Sequence, residues 1–344
     1  MKKTLIALAV LAASGASFAQ VTVTGSVATG YRASTAVSTA ATGVSSSSDS
    51  SGLGVDTAEL FFKTSEDLGG GLKAEAVLSF DTVTRAGVAG GDTSLTLSNA
   101  SWGAFALKSV KGADYLSGGI ANVGGVGFDA KIFSAKTYSD SVSYTSPSFS
   151  GFTVGLGHAE NSNNTVTTGQ GLGVGAAGTP VSRDAQRQSS IGLAYAAGPL
   201  AANLGYAVYD QKGSTDAAAA DATNTDNKIT LSAAYDLGVA KLGAGAESRK
   251  LTKGTRLDTL IGVAFPVTSA LTLNATFASR QLNDTLTTQT NGLSADGTKT
   301  GYGLAASYAL SKRTSLIANY RNWTNAVGDN SKATETNFLV AHSF

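Results

Sequence analysis

The chain closes on Thr336-Asn337-Phe338-Leu339-Val340-Ala341-His342-Ser343-Phe344, and this stretch decides how the rest is read. Side chains of an extended strand alternate between two faces with a period of two residues. Counting back from Phe344, His342, Val340 and Phe338 therefore share one face. Termini usually fray into water, so a soluble protein seldom finishes on an apolar aromatic. A terminal phenylalanine on an alternating strand is expected where that strand stays packed to its last residue in apolar surroundings.

The other end agrees. Lys2-Lys3 give a positive start, Leu5 to Leu11 form a short apolar core, and Ser17-Phe18-Ala19 reads as a small-x-small cleavage site. Residues 1–19 are thus expected to be a cleaved export signal, and 20–344 a single domain beginning at Gln20. The apolar run is too brief to cross a bilayer. Removing Lys2 and Lys3 takes the formal charge from +1 to −1, which points to no nucleic-acid partner. Cysteine is absent, so there is no disulfide or thiolate-metal framework, and no cofactor is expected. Mean hydropathy is +0.05, and no long apolar run follows residue 20. That excludes a helical membrane protein. A barrel is compatible, because its strands alternate lipid-facing apolar with lumen-facing polar residues and average to near neutral.

Alternating segments recur along the mature chain. Leu72, Ala74, Ala76, Leu78 and Phe80 alternate with Lys73, Glu75, Ser79 and Asp81; Ile229, Leu231, Ala233 and Tyr235 alternate with Lys228, Thr230 and Ser232. Leu271 to Phe277, Tyr302 to Tyr308 and Leu316 to Tyr320 repeat the pattern. Spacers are tight at Glu66–Gly71, Ala196–Pro199, Asp236–Gly238 and Leu310–Lys312. They are long and polar at Ser34–Asp56, Asn161–Gln188, Gln211–Asp226, Asn283–Lys299 and Asn325–Thr334. Short turns alternating with long loops predict an all-β transmembrane antiparallel barrel of about sixteen strands, with periplasmic turns and extracellular loops.

Specific stretches then resemble a family. Ser65-Glu66-Asp67-Leu68-Gly69-Gly70-Gly71-Leu72-Lys73-Ala74-Glu75 is similar to the second-to-third-strand turn of general trimeric Gram-negative outer-membrane porins of β-proteobacterial type. Ser141-Val142-Ser143-Tyr144-Thr145-Ser146-Pro147 through Phe152 resembles the strand after that family's inward-folded third loop, and Tyr308–Leu316 with His342-Ser343-Phe344 resembles its final hairpins. The resemblance implies a sixteen-stranded homotrimer in the cell outer membrane, passing small hydrophilic solutes and ions without an energy source. It also implies contact with outer-membrane lipid and lipopolysaccharide, and makes Phe344 the signal read by the barrel-assembly machinery.

A barrel of that size leaves an aqueous lumen, which such porins narrow with a loop. Here the constriction loop is expected at about 112–139. It is less polar than the other long segments, carrying Tyr115, Leu116, Ile120, Phe128, Ile132 and Phe133, as a loop packed inside a lumen requires. Its acids Asp114 and Asp129 are offset by Lys131 and Lys136. Strand parity turns Arg32, Lys63, Lys73, Arg280 and Arg321 into the lumen, together with Arg313. Glu59, Glu75 and Asp81 share that face and soften the basic bias. Rings of one charge set ion preference, so weak anion selectivity is expected. Lys108 and Lys111 fall on opposite faces of a poorly alternating strand.

Other functions have less support. The only two histidines, His158 and His342, have no evident serine partner in the sequence, and no metal-ligand motif occurs, so an enzyme is not expected. A substrate-specific channel would carry an aromatic slide or a dense single-sign track, to which only Trp102 and Trp323 could add. A plugged, adhesive barrel would act through its loops.

Overall fold

A computed structural model describes residues 20–39, 45–84, 87–112, 116–134, 138–161, 186–211, 225–251, 254–284, 297–324 and 331–344. The expected export signal, most of the long polar spacers, and Asp114, Tyr115 and Lys136 lie outside the described residues.

The described residues form sixteen strands. They are β1 (Gln20–Thr39), β2 (Ser45–Gly69), β3 (Leu72–Thr84), β4 (Gly87–Asn99), β5 (Gly103–Lys111), β6 (Tyr138–Thr145), β7 (Phe152–Asn161) and β8 (Gln186–Ala197). The series continues with β9 (Leu200–Gln211), β10 (Thr225–Asp236), β11 (Lys241–Leu251), β12 (Gly254–Pro266), β13 (Leu271–Asp284), β14 (Gly297–Ala309), β15 (Thr314–Thr324) and β16 (Lys332–Ser343). Each strand pairs antiparallel with its sequence neighbours, and β16 returns to β1 to close the barrel. Closure removes every sheet edge, which a strand assembly in lipid needs because no water is there to satisfy free backbone groups. The last residue takes part. The Phe344 amide and carbonyl each bond Gly25 at 3.0 Å, and the Phe344 ring lies over the Gly25 backbone.

The tight spacers are turns. Gly70 and Gly71, with φ of +61° and +77°, connect β2 to β3. Two successive positive φ values make a hairpin turn whose twist matches its strands, and glycine reaches them without strain. One expectation changes. The stretch Ser34–Asp56, read as a long loop, is mostly strand: β1 and β2 stay in register from Ser34 opposite Ser50 to Thr39 opposite Ser45. Backbone hydrogen bonds hold this extension, and its serines and threonines are polar on both faces, so no alternation marks it.

Two faces follow from parity. On β12, Leu257, Ile261 and Phe265 are exposed outward, whereas Arg256, Asp258, Leu260 and Gly262 point inward. On β14, Tyr302, Leu304 and Tyr308 are exposed outward, whereas Lys299, Gly301 and Gly303 point inward. Phe338, Val340 and Phe344 share one face, as their spacing predicts, and it is the exposed outward one. Tyr31, Tyr206 and Tyr235 are also exposed, as interface girdles require.

Between β5 and β6 the chain leaves the wall. Residues 116–134 form no strand and pack against the inward face of β11 to β14. Leu116, Ala121, Val126, Phe128, Ile132 and Phe133 make one buried cluster with Leu260 and Ala278, flanked by Ala305 and Trp323. The strands receive the loop where their inward residues are glycine. A β-carbon at Gly301 would lie 2.8 Å from Phe128 and 3.1 Å from Ile132. At Gly262 it would lie 3.0 Å from the Ala121 carbonyl, and the space above Gly303 is filled by Val126. Strand glycines of this kind mark close approach of another backbone. The flanking strands end at Lys111 and resume at Tyr138, slightly inside the expected 112–139 boundary.

Candidate functional site

The inward face of neighbouring strands carries a band of charge. Lys228 on β10, Arg249 on β11, Arg256 on β12, Arg280 on β13, Lys299 on β14, Arg321 on β15 and Arg32 on β1 share it. Register makes the band continuous: Lys228 is opposite Arg249, Arg249 opposite Arg256, and Arg280 opposite Lys299. Like charges directly opposite repel, so carboxylates are interleaved. Glu247 takes Lys228 at 3.5 Å, Arg256 at 3.4 Å, and Arg249 in a shorter contact. Asp258 holds Arg280 by a two-pronged pair at 2.7 and 2.8 Å and meets Arg256 Nε at 3.3 Å. Such forked pairs fix the guanidinium plane. The loop adds Ser134, whose hydroxyl accepts from Arg280 at 3.3 Å and from Arg256 at 3.5 Å.

A second group lies on β15, β16 and β1. Arg321 binds Glu335, and Glu335 is 4.0 Å from Lys131 of the loop. The fully buried Asn337 donates to Glu335 at 3.0 Å and to Asn319 at 3.1 Å, and accepts from Arg32 at 3.1 Å. Lys131 also stands 5.5 Å from the centre of the Trp323 ring. Taken together, the named cations of the band outnumber Glu247, Asp258, Glu335 and Asp56, which pairs with Arg32 at 2.6 Å.

The residues singled out by parity divide into several places. Arg32, Arg280, Arg321 and Lys131 belong to the band just described. Lys63 and Glu75 pair with each other at 2.8 Å on β2 and β3, and Lys73 is exposed near the β2–β3 turn. Asp129 sits on the loop, partly buried. Asp81 stands apart from the band: it receives Lys111 and the Tyr138 hydroxyl, the latter at 3.1 Å, and so joins the two strand ends that flank the loop. Arg313 is corrected. It lies in the exposed β14–β15 turn, where its carbonyl accepts from Ser343, because the strand begins only at Thr314. Lys108 shares the inward face of Ser94 and Ser141, while Lys111 falls on the other parity and reaches Asp81.

Lys228, Glu247, Arg249, Arg256, Asp258, Lys299, Glu335 and Asn337 were not foreseen. A signal for four of them exists in Glu247-Ser248-Arg249 and Arg256-Leu257-Asp258, where charges recur with strand period. The sequence offers neither histidine an evident serine partner, and the structure changes this for His158. His158 Nδ1 is 3.0 Å from Ser189 Oγ on the outward face, and His342 Nδ1 is 2.9 Å from Thr314. Among the described residues no group of three or more His, Cys, Asp or Glu is arranged to hold a metal.

Known proteins resemble this chain in sequence and fold. A family model described as Gram-negative porin matches residues 4–327. Outer membrane porin protein 32 of Delftia acidovorans is 32% identical over 296 residues, covering 78% of this chain and 76% of that protein. The fold is that of an anion-selective porin from Comamonas acidovorans, with a TM-score of 0.62, 21% identity and coverage of 95% of this chain and 100% of that one. A loop-deletion mutant of the Vibrio cholerae outer membrane protein OmpT superposes with a TM-score of 0.62 at 14% identity, covering 94% and 99%.

Proposed function

This chain belongs to the Gram-negative porin family and forms a channel in the outer membrane; from that premise we propose passive diffusion of small hydrophilic solutes and ions, with a weak preference for anions. The observation that carries the preference is the band of inward cations from β10 to β15 and β1, only partly offset by Glu247, Asp258, Glu335 and Asp56. Side-chain rings of one sign bias which ion enters. Most of these cations are held by carboxylates, and that pairing keeps the bias weak. The solute path is aqueous because the inward face is polar and charged where the outward face is apolar.

The loop of residues 116–134 narrows the path by occupying the space above β11 to β14. Residues 1–19 direct export and are removed, the barrel works as a homotrimer, and Phe344 is its assembly signal.

Single-channel recording of the refolded mature chain in planar bilayers, with reversal potential under a potassium chloride gradient, tests the reading. Conductance rising in proportion to salt, with a small anion-directed reversal potential, is expected. A cation-directed potential would remove the band as selectivity element, and saturating conductance would replace diffusion by a specific binding site.

A further inference from the structure

Two cations of the band do something other than face the path. Arg321 Nη1 donates to the carbonyl of Gly127 at 2.9 Å, and Lys299 Nζ donates to the carbonyl of Lys131 at 2.7 Å. One strand over, the buried Thr276 hydroxyl donates to Asn122 Oδ1 at 3.0 Å. Asn122 in turn donates to the Ser117 carbonyl at 2.6 Å, so its amide ties the wall to the start of the loop segment. The donors sit on three consecutive strands, β13, β14 and β15, and their acceptors span residues 122 to 131. Glu335 grips Arg321 from its other side, which aims the guanidinium at the loop.

We propose that Thr276, Lys299 and Arg321 are positioning residues that latch the loop to the wall and set the bore of the channel, leaving ion preference to the remaining cations. The proposal rests on the channel reading. A backbone carbonyl on the side of the loop turned to the wall needs a partner, since one left buried without a hydrogen bond is costly. The wall supplies that partner from side chains, because the backbone groups of β13, β14 and β15 are already committed to their ladders, while the glycine seat at Gly301 and Gly303 lets the loop come close. A cation whose donors go to a carbonyl and a buried carboxylate also presents less field to a passing ion than one facing water.

Uncharged solutes separate the two roles, because their passage reports bore and ignores charge. Liposome swelling with neutral sugars of increasing size is measured for the parent, Thr276→Val and Lys299→Met, with reversal potentials recorded on the same preparations. Thr276→Val keeps shape and charge and removes only the donor, so it remains informative if Lys299→Met folds poorly. Both variants are expected to admit larger sugars than the parent, and Thr276→Val to leave the reversal potential unchanged. Unchanged sugar cut-offs in both variants, with a potential shift confined to Lys299→Met, would overturn the latch and return Lys299 to the selectivity band. A parent that passes no sugar at all would instead strike at the channel reading.

Discussion

Replacing Phe128 by alanine asks whether the loop is held by its own apolar plug, separately from the barrel. Phe128 and Ile132 are each 0% exposed and pack with Leu260, Ala278 and Trp323. Truncating a buried phenylalanine to alanine costs about 3–5 kcal/mol. A single hydrogen bond contributes about 0.5–1.5 kcal/mol, and about 1.5–3 kcal/mol where a charged group donates. The plug therefore outweighs any one tie of the loop to the wall. At about 3 kcal/mol, the ratio of undocked to docked loop rises roughly a hundredfold. The barrel should not share this loss, because its strand pairings run through backbone ladders that do not include residue 128. Phe128→Ala is expected to melt within about 1 kcal/mol of the parent. Its single-channel current should become noisier, and liposome swelling should extend to larger neutral sugars. A quiet channel with the parental cut-off would refute the plug, and a barrel destabilised by the full cost of the truncation would refute its independence from the wall.

Glu247→Gln removes the carboxylate that pairs with Lys228, Arg249 and Arg256, so the reversal potential should move further toward anions and stability should fall by about 3 kcal/mol, the low end for breaking a buried pair; an unmoved potential would place Glu247 outside the conducting field. Arg32→Gln removes a half-exposed cation of the band, and the potential should move toward cations. In the parent, the preference should shrink as salt rises from 0.1 to 1 M, because the screening length falls from about 10 to about 3 Å; bilayer recordings across that range check both statements. Deleting Phe344 removes the residue that closes the ladder on Gly25, so the yield of folded barrel in outer-membrane fractions should drop, and equal yield would end its assembly role. Mass spectrometry of the purified protein should find Gln20 as its first residue; an intact Met1 would refute the cleavage site.

What was legible in the chain was mostly the face that meets lipid. Ile229, Leu231 and Tyr235 sort from Lys228, Thr230 and Ser232 by sequence alone, because lipid favours apolar residues outward and so imposes alternation on the membrane-spanning part of a strand. The loop's anchors were legible for a related reason: Leu116, Phe128, Ile132 and Phe133 are apolar within an otherwise polar connection. Their seat was not. It is built from Gly243, Gly262, Gly301 and Gly303, which look in sequence like weak strand positions and gain meaning only when register stacks them under one loop.

The inward charges show the same asymmetry more sharply. Parity could turn Arg280 inward, but it could not say that Asp258 lies opposite and grips it, since that depends on how β12 and β13 are registered. Parity likewise cannot separate Arg280, held by a carboxylate, from Lys299 directly across from it, whose ammonium reaches the Lys131 carbonyl. The outer wall repeats one rule at every strand and can be read one strand at a time. The inner wall is written in pairs across strands. A residue count of lumen-facing cations therefore overstates the field an ion meets, and the selectivity of this channel follows from which of those cations the wall and the loop have already engaged.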